Sequence, residues 1–87
     1  MTLTKKTLIL KAMANAKRLE ILMLLKNNEE NVGNLEKKLD LSQSALSQHL
    51  ALLRKANILK TRRQAQNVFY QLKNECVIKL LNILEEE

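Results

Sequence analysis

Residues that interrupt helices are nearly missing from this chain, which has no proline and a single glycine. Their scarcity favours helices joined by short turns. Aromatic residues make up 2% of the chain and hydrophobic residues 46%, so we expect an aliphatic core. Eighty-seven residues predict one domain, 1–87, and a chain of this size is marginally stable unless it associates.

The chain also lacks most of the residues that catalytic and metal sites require. One glycine, one histidine and one cysteine leave no phosphate-binding loop, no catalytic triad and no convincing set of zinc ligands. We therefore predict neither an enzyme nor a metal or other cofactor. The single cysteine, Cys76, excludes an internal disulfide and is typical of a reducing compartment.

Long hydrophobic runs are missing too. No apolar run approaches the ~20 residues that span a bilayer, and no signal peptide is visible. We expect a cytoplasmic protein without a membrane partner. What the chain does have is positive charge, with a net charge of +6 and a pI near 9.7. This charge favours polyanionic partners, but it does not by itself distinguish DNA from RNA or from an anionic lipid surface.

Apolar spacing and capping residues predict a mainly α fold of five helices and one β-hairpin. The expected order is four helices, two strands and a final helix. The helices are expected at 3–14, 15–27, 32–39, 42–56 and 74–85, where Asn15, Ser42 and Asn74 are the capping residues of the second, fourth and fifth. Asp40 and Asn57 should end the third and fourth helices in the left-handed conformation. The three-residue gap between those two helices is typical of a helix-turn-helix.

The hairpin is expected at residues 58–64 and 66–72, where β-forming side chains alternate loosely with polar ones. We call residues 58–72 the wing. Neither Asn-Gly nor Asp-Gly occurs at its tip, so we expect a loop of more than two residues there. The segment before the third helix, residues 28–31, reads as a polar turn.

The fourth helix has one apolar and one uncharged polar face. Leu46, Leu50 and Leu53 recur at helical spacing on the apolar face. The opposite face carries Gln43, Ser44, Ser47 and Gln48, and the capping residue Ser42 directly before them is a further candidate DNA contact. Glutamine pairs with adenine through two hydrogen bonds, serine reaches bases or phosphates, and the start of such a helix enters the major groove. A merely solvated face would carry Glu and Lys, and none occurs between Ser42 and Ala51, so we predict DNA readout.

Basic residues follow this helix and extend into the wing. They are Arg54, Lys55, Lys60, Arg62 and Arg63. Strand alternation places Lys60 and Arg62 on one face and Arg63 at the approach to the tip. Such residues suit the phosphate backbone or the adjacent minor groove, and the alternative is a solubilising surface. His49 borders the apolar edge of the fourth helix and is either close to DNA or structural.

Apolar residues cover more than half of the circumference of the last helix, and the first helix shows a similar excess. The core of one domain cannot cover so wide an arc of a helix, so we predict a homodimer built from the first and last helices. The alternative is that both helices wrap the domain core. The predicted interface residues are Leu3, Leu8, Ile9, Val77, Ile78, Leu81 and Leu84.

A family resemblance supports this interpretation. The stretch LSQSALSQHLALLRKANILKTRRQAQNVFYQL, residues 41–72, resembles the winged-helix core of the ArsR/SmtB family of bacterial repressors. ANAKRLEILMLL, residues 14–25, is similar to the start of that family's second helix, and both pieces are most similar to the HlyU/BigR-type subgroup, which responds to oxidants or reactive sulfur. The resemblance implies a dimeric winged helix-turn-helix repressor of a dyad-symmetric operator in double-stranded DNA. The DNA contacts that it implies are Gln43, Ser44, Ser47, Gln48, His49 and the wing from Arg62 to Asn67, including Gln64 and Gln66.

The sensing residues of the family do not carry over. The Cys-x-Cys positions of its metal sensors fall on Asn31 and Gly33, and the last helix has no histidine. The oxidant-sensing subgroup uses two cysteines, whereas this chain has Cys76 alone. We expect Cys76 to be a small buried hydrophobic residue, and the alternatives are a lone reactive thiol or a Cys76 pair across the dimer. No inducer is predicted.

The sequence therefore predicts a homodimeric DNA-binding transcriptional repressor. The alternative from another class is a winged-helix module that binds proteins, such as an antitoxin or an anti-regulator. A protein-binding groove would need exposed leucine, methionine or aromatic anchors at positions 43–48, and none is present there.

Overall fold

Five helices and three short strands form the part of the chain that this computed structural model describes, residues 1–86. Glu87, the last residue of the predicted domain, lies outside it. The helices are α1 (Leu3–Met13), α2 (Ala16–Leu25), α3 (Val32–Leu39), α4 (Gln43–Lys55) and α5 (Glu75–Glu85). The strands are β1 (Glu30–Asn31), β2 (Leu59–Gln64) and β3 (Asn67–Leu72).

Each of these helices begins at a residue whose side chain caps it. The caps predicted at Asn15, Ser42 and Asn74 are confirmed, and Thr2 and Asn31 cap the other two helices. Each side-chain oxygen accepts a hydrogen bond from a backbone N–H of the first turn, which would otherwise have no partner. The structure ends α1 one residue and α2 two residues before the predicted ends.

The turn between α3 and α4 consists of three residues, Asp40 to Ser42. Asp40 adopts the left-handed conformation with φ 53°, and Asn57 does the same after α4 with φ 63°, so both predictions are confirmed. Leu41, which lies between Asp40 and Ser42 in this turn, packs against the core. The two ends of the turn are thus set by Asp40 and by the Ser42 cap, which fix the direction in which α4 leaves α3.

The strands form one antiparallel sheet in the order β1-β3-β2. β1 pairs Glu30 with Tyr70 and Asn31 with Phe69. The prediction of a polar turn at residues 28–31 was wrong for this two-residue strand. A strand so short shows no alternation of polar and apolar residues, so nothing local marks it.

The tip of the wing is tighter than predicted. Gln64 pairs with Asn67, which leaves Ala65 and Gln66 as a two-residue turn, so the expected longer loop was wrong. Ala65 supplies the positive φ, at 55°, that such a turn usually obtains from Gly, Asn or Asp. The six paired positions on each strand hold the turn in this conformation.

The core lies between the helices and the inner face of the sheet. From α2 it takes Ile21, Leu22 and Leu25, whereas Met23 and Leu24 are only half-buried. From α4 it takes the predicted leucines at 46, 50 and 53. The arrangement of α3, α4 and the hairpin is that of a winged helix-turn-helix, which confirms the predicted fold. No helix in residues 1–86 is long and apolar enough to cross a membrane.

Candidate nucleic-acid interface

The first two turns of α4 present the polar face that the sequence predicted. Gln43, Ser44, Ser47 and Gln48 are all exposed, while Leu46 between them is fully buried. Ser42 precedes them, and its Oγ accepts a hydrogen bond from the N–H of Ala45 at 3.1 Å. Ser42 is therefore occupied as a cap, although its exposed position leaves it beside the same surface. Four uncharged hydrogen-bonding side chains are thus held on a helix whose other face is anchored in the core.

This surface belongs to a stretch of chain without acidic residues. Between Asp40 and Glu75 there is no Asp or Glu at all. The same stretch contains six basic residues: Arg54, Lys55, Lys60, Arg62, Arg63 and Lys73. All six are exposed, and the acidic residues of the protein lie before or after this stretch. The positive charge is therefore concentrated in the part of the fold that carries α4 and the wing.

The two faces of the wing differ in what they contact. Leu59 is buried in the core, and Tyr70 and Leu72 pack against it, so this face of the hairpin is turned towards the helices. Arg63, four residues after Leu59 on β2, lies on the same face by strand alternation. Lys60 and Arg62 share the outer face, as predicted. The two consecutive arginines therefore project to opposite sides of the hairpin.

The side chain of Arg62 is already engaged within the protein. Its Nε donates to Glu29 Oε2 at 3.2 Å, its Nη2 donates to Glu29 Oε1, and its Nη1 donates to Gln64 Oε1 at 2.8 Å. Gln71 also donates to Glu29, and the guanidinium carbon lies 4.7 Å from the centre of the Phe69 ring. The hydrogen bonds from Arg62 and then from Gln71 hold the pKa of Glu29 below its ordinary value. Arg62, which we predicted to contact DNA, is therefore held by intramolecular contacts.

The remaining predicted wing residues are exposed at the tip. Gln64, Gln66 and Asn67 have no contact with the core, and Arg63 lies directly before them. Among the described residues, Arg54, Lys60 and Arg63 form no ion pair within 4.0 Å. The positive charges of Arg54, Lys60 and Arg63 are therefore available to an outside anion.

His49 is half-buried and faces away from the polar surface of α4, towards the start of α2. Arg18 Nη1 lies 3.4 Å from its Nδ1, which accepts from the guanidinium if the imidazole is protonated on Nε2. Arg18 also donates to the carbonyl of Ala12 at 2.6 Å and to that of Lys11 at 3.4 Å. Burial, and then the charge of Arg18, hold the pKa of His49 below its ordinary 6.5. Of the two interpretations left open for His49, the contacts favour the structural one.

The end helices expose apolar side chains, but not all of those that we predicted. Ile9, Val77 and Leu81 are 6% exposed or less, because they pack into the core of their own chain, so the prediction for these three is corrected. Ile78 is half-buried. The exposed leucines among the predicted residues are Leu3, Leu8 and Leu84, and the structure adds Leu10 and Ile83. Leu10, Leu80, Ile83 and Leu84 line one continuous apolar groove with Met13, Ala14 and Leu19.

Cys76 is exposed in the first turn of α5, so the expectation of a buried cysteine was wrong. Its backbone N–H donates to the Asn74 cap, and this position turns the side chain away from the core, which takes the next residue, Val77, instead. Among residues 1–86, no three His, Cys, Asp or Glu side chains lie close enough to hold a metal ion together.

Two residues with roles at this surface were missed by sequence reasoning. Glu29 lies 33 positions from Arg62, and Arg18 lies 31 positions from His49, so neither pair leaves a local signal. The acid-free stretch is a usable signal in retrospect, because Arg62 must find any carboxylate partner outside it. The exposed Leu10 and Ile83 belong to the over-wide apolar arcs that were visible in the sequence.

Comparison with known proteins gives consistent matches. The model of the bacterial regulatory protein arsR family matches residues 15–61. The transcriptional activator HlyU of Vibrio cholerae is 51% identical over 80 residues, which cover 92% of this chain and 74% of HlyU. The biofilm growth-associated repressor of Agrobacterium fabrum is 41% identical over 81 residues, with 93% and 69% covered.

Solved structures agree with these sequence matches. HlyU from Vibrio cholerae superposes with a TM-score of 0.91 at 49% identity, covering 95% of this chain and 90% of that one. The homodimeric winged helix-turn-helix DNA-binding domain of a possible ArsR-family transcriptional regulator from Mycobacterium bovis superposes with a TM-score of 0.88. It is 26% identical, with 95% of this chain and 77% of that one covered.

Proposed function

This chain belongs to the arsR family of bacterial regulatory proteins, and we propose that it acts as a homodimer that reads a two-fold symmetric DNA site with α4. It is a DNA-binding regulator of transcription, as the family and the fold together indicate. Both an activator and a repressor occur among its relatives, so similarity to them does not decide between activation and repression of transcription. The proposal concerns which residues read the DNA and how two copies are held.

The observation that carries the proposal is the exposed face of α4. Gln43, Ser44, Ser47 and Gln48 supply donors and acceptors without charge at the start of the second helix of a helix-turn-helix. Base edges in the major groove are read by such side chains, whereas phosphates are bound by cations. We assign base readout to these four residues.

The basic residues around α4 supply the contacts that do not depend on sequence. Arg54 near the end of α4 and Lys60 and Arg63 in the wing are exposed, and no described ion pair engages them. Gln64, Gln66 and Asn67 at the tip can hydrogen-bond to the sugar-phosphate backbone or to the minor groove. These residues would fix the register of the protein on the duplex and leave discrimination to α4.

The apolar surface of α1 and α5 supports the homodimer. Leu10, Ile83 and Leu84 are each more than half exposed, and they line the same groove. Contiguous apolar surface of this kind is typical of an interface between subunits. The solved Mycobacterium bovis domain of the same fold is described as homodimeric. Two copies would present two α4 helices to successive major grooves, about 34 Å apart.

The test is selection of bound duplexes from a random pool, followed by binding measurements on the selected site and on a scrambled one. We expect an inverted repeat whose half-sites are spaced by about one helical turn. If about six to eight phosphates are neutralised per dimer, log K should fall against log salt with a slope of roughly −5 to −7. Selection that recovers no shared sequence, or tight binding without salt dependence, would contradict the proposal.

A further inference from the structure

Arg62 and Glu29 join the outer face of the wing to the segment that directly precedes β1. We propose that Arg62 is a positioning residue, which acts with Glu29 as a brace that sets the angle of the wing, and that it does not itself contact DNA. Arg63, on the opposite face of the hairpin, is then the phosphate ligand. This inference rests on the proposed function and concerns how the wing performs it.

The contacts of Arg62 leave little of it for DNA. Nε and Nη2 meet the two oxygens of the Glu29 carboxylate in a bidentate pair, and Nη1 donates to Gln64 on the same strand. The planar guanidinium also lies over the Phe69 ring, which faces it across the hairpin. Bidentate pairing and stacking both restrict the geometry of an arginine, so its side chain is fixed in direction as well as in charge.

Glu29 is placed where it can act on the wing and on α3 at once. It immediately precedes β1, whose residues pair with Tyr70 and Phe69 in β3. Its carboxylate accepts from Arg62 in β2 and from Gln71 in β3, so it bridges both strands of the wing. The next residue, Glu30, accepts from Lys38 Nζ on α3 at 2.9 Å. Two consecutive carboxylates therefore connect the wing to the helix-turn-helix.

The direction of the side chains separates the two arginines. Arg62 lies on the outer face with Phe69 and Gln71, whereas Arg63 lies on the face of Leu59 and Tyr70, which is turned towards the helices. Arg63 has no ion pair among the described residues and is free to bind a phosphate, while the guanidinium of Arg62 is bound to Glu29.

A brace of this kind acts on binding more than on folding. The side chains of Glu29 and Arg62 are 30% and 42% exposed, and ion pairs so close to solvent contribute little to stability. Their loss would leave the core intact but would give the wing more conformations to lose on binding. Ordering one such side chain on binding corresponds to roughly 2–12-fold in affinity per site.

The experiment compares five variants with the unaltered chain on the selected duplex at several salt concentrations. They are Glu29→Gln, Arg62→Ala, the double variant of these two, Arg63→Ala, and Glu20→Gln as a control. Glu20 is an exposed α2 residue paired loosely with Lys17 at 3.7 Å, so its substitution removes the same charge and an ion pair far from the wing.

We expect Glu29→Gln and Arg62→Ala to weaken binding by similar factors, and the double variant to be no weaker than the worse single. The salt slope should stay unchanged in these three variants. Arg63→Ala should reduce it by about 2 for a dimer, at roughly 0.9 per phosphate. Glu20→Gln should bind at least as tightly as the unaltered chain. Loss of a negative charge ordinarily strengthens DNA binding. Weaker binding by Glu29→Gln would therefore be opposite to the effect of its charge and would agree with a role in positioning the wing.

Hydrogen exchange of the free protein gives a second readout that needs no DNA. Amides of β2 and β3 should exchange faster in Glu29→Gln and Arg62→Ala than in Arg63→Ala or Glu20→Gln. Unchanged exchange, tighter binding by Glu29→Gln, or a salt slope reduced by about 2 in Arg62→Ala would overturn the brace. If the unaltered chain bound no duplex at all, the proposed function itself would fail, which is a separate outcome.

Discussion

Helices α4 and α5 bury similar faces but expose very different ones. Leu46 and Leu50 of α4 enter the core as Val77 and Leu81 of α5 do, with at most 1% of each residue exposed. The outer side of α4 carries glutamines and serines. The outer side of α5 carries Ile83 and Leu84, which are 57% and 55% exposed.

The difference shows that exposed composition, more than burial, distinguishes the partners of the two helices. Apolar surface left in water costs about 25 cal/mol per Å², so the outer side of α5 is stabilised by any surface that covers it. A second copy offers the same patch by symmetry. The exposed face of the first two turns of α4 has no such cost, and its donors and acceptors gain most from a partner that presents complementary ones, as base edges do.

The largest effect should come from placing a charge on the α5 patch. Leu84→Glu would bury two carboxylates in a symmetric interface, so we expect dissociation to monomers in light scattering. Operator binding should fall by about 100-fold or more, because the second half-site no longer adds to the first. Lys79→Glu adds the same side chain to an exposed polar position of α5 and should remain dimeric. A Leu84→Glu chain that remained dimeric would remove α5 from the interface.

A smaller and more selective effect is expected on α4. Gln48→Ala should cost about 1–3 kcal/mol on the selected site and little on scrambled DNA, because it removes a base contact and leaves phosphate contacts unchanged. Competition binding against both duplexes measures the difference. Equal losses on the two duplexes would show that Gln48 contributes to general affinity. The distinction between residues that contact bases and residues that contact the sugar-phosphate backbone would then fail.

The cap of α4 should affect stability by about 1 kcal/mol. Ser42→Ala leaves the N–H of Ala45 without the acceptor that Oγ now supplies at 3.1 Å, whereas Ser42→Gly should cost only a few tenths of a kcal/mol. Urea unfolding of the two variants gives both values. If Ser42→Ala unfolded at the same urea concentration as the unaltered chain, the hydrogen bond of the cap would not be what stabilises the start of α4.

The smallest effect concerns His49, whose imidazole links α4 to Arg18. The folded state holds the pKa of His49 below its ordinary 6.5, mainly through burial and then through Arg18. The fold thus favours the neutral ring, so its contribution to stability is present above pH 6.5 and is lost as the pH falls through the lower, folded pKa. Because the chain has one histidine, proton NMR can follow this titration directly.

Arg18→Gln should raise the pKa of His49 towards 6.5, since it removes the nearby positive charge. His49→Gln should remove the part of the pH dependence of unfolding that appears as the pH falls below 6.5. A His49 that titrates above 6.5 in the unaltered chain would mean that its surroundings favour the charged ring, contrary to the contacts described.

Features that depend on neighbours within a few positions were read from the sequence correctly. The caps at Asn15, Ser42 and Asn74, the left-handed Asp40 and Asn57, and the bounds of α3 all follow from interactions between residues at most four apart. The fold and the polar face of α4 followed from the same local patterns, and the family followed from the resemblance of residues 14–25 and 41–72 to known members. The roles given to individual residues at the DNA surface and the homodimer remain predictions.

Tertiary structure decided what the local patterns leave open. An over-wide apolar helix does not say which of its residues face the core, and packing assigned Ile9, Val77 and Leu81 inwards while Leu10 and Ile83 stayed outside. It also exposed Cys76, made a strand of Glu30 and Asn31, and closed the wing with a two-residue turn.

Above all, tertiary structure joined Glu29 to Arg62 across 33 positions of chain. The sequence by itself determined where helices begin and which surface is rich in hydrogen-bonding groups, because those properties depend on neighbours in the chain. The partner of each exposed charge, and the face that each leucine turns to water, depend on which segments meet in space.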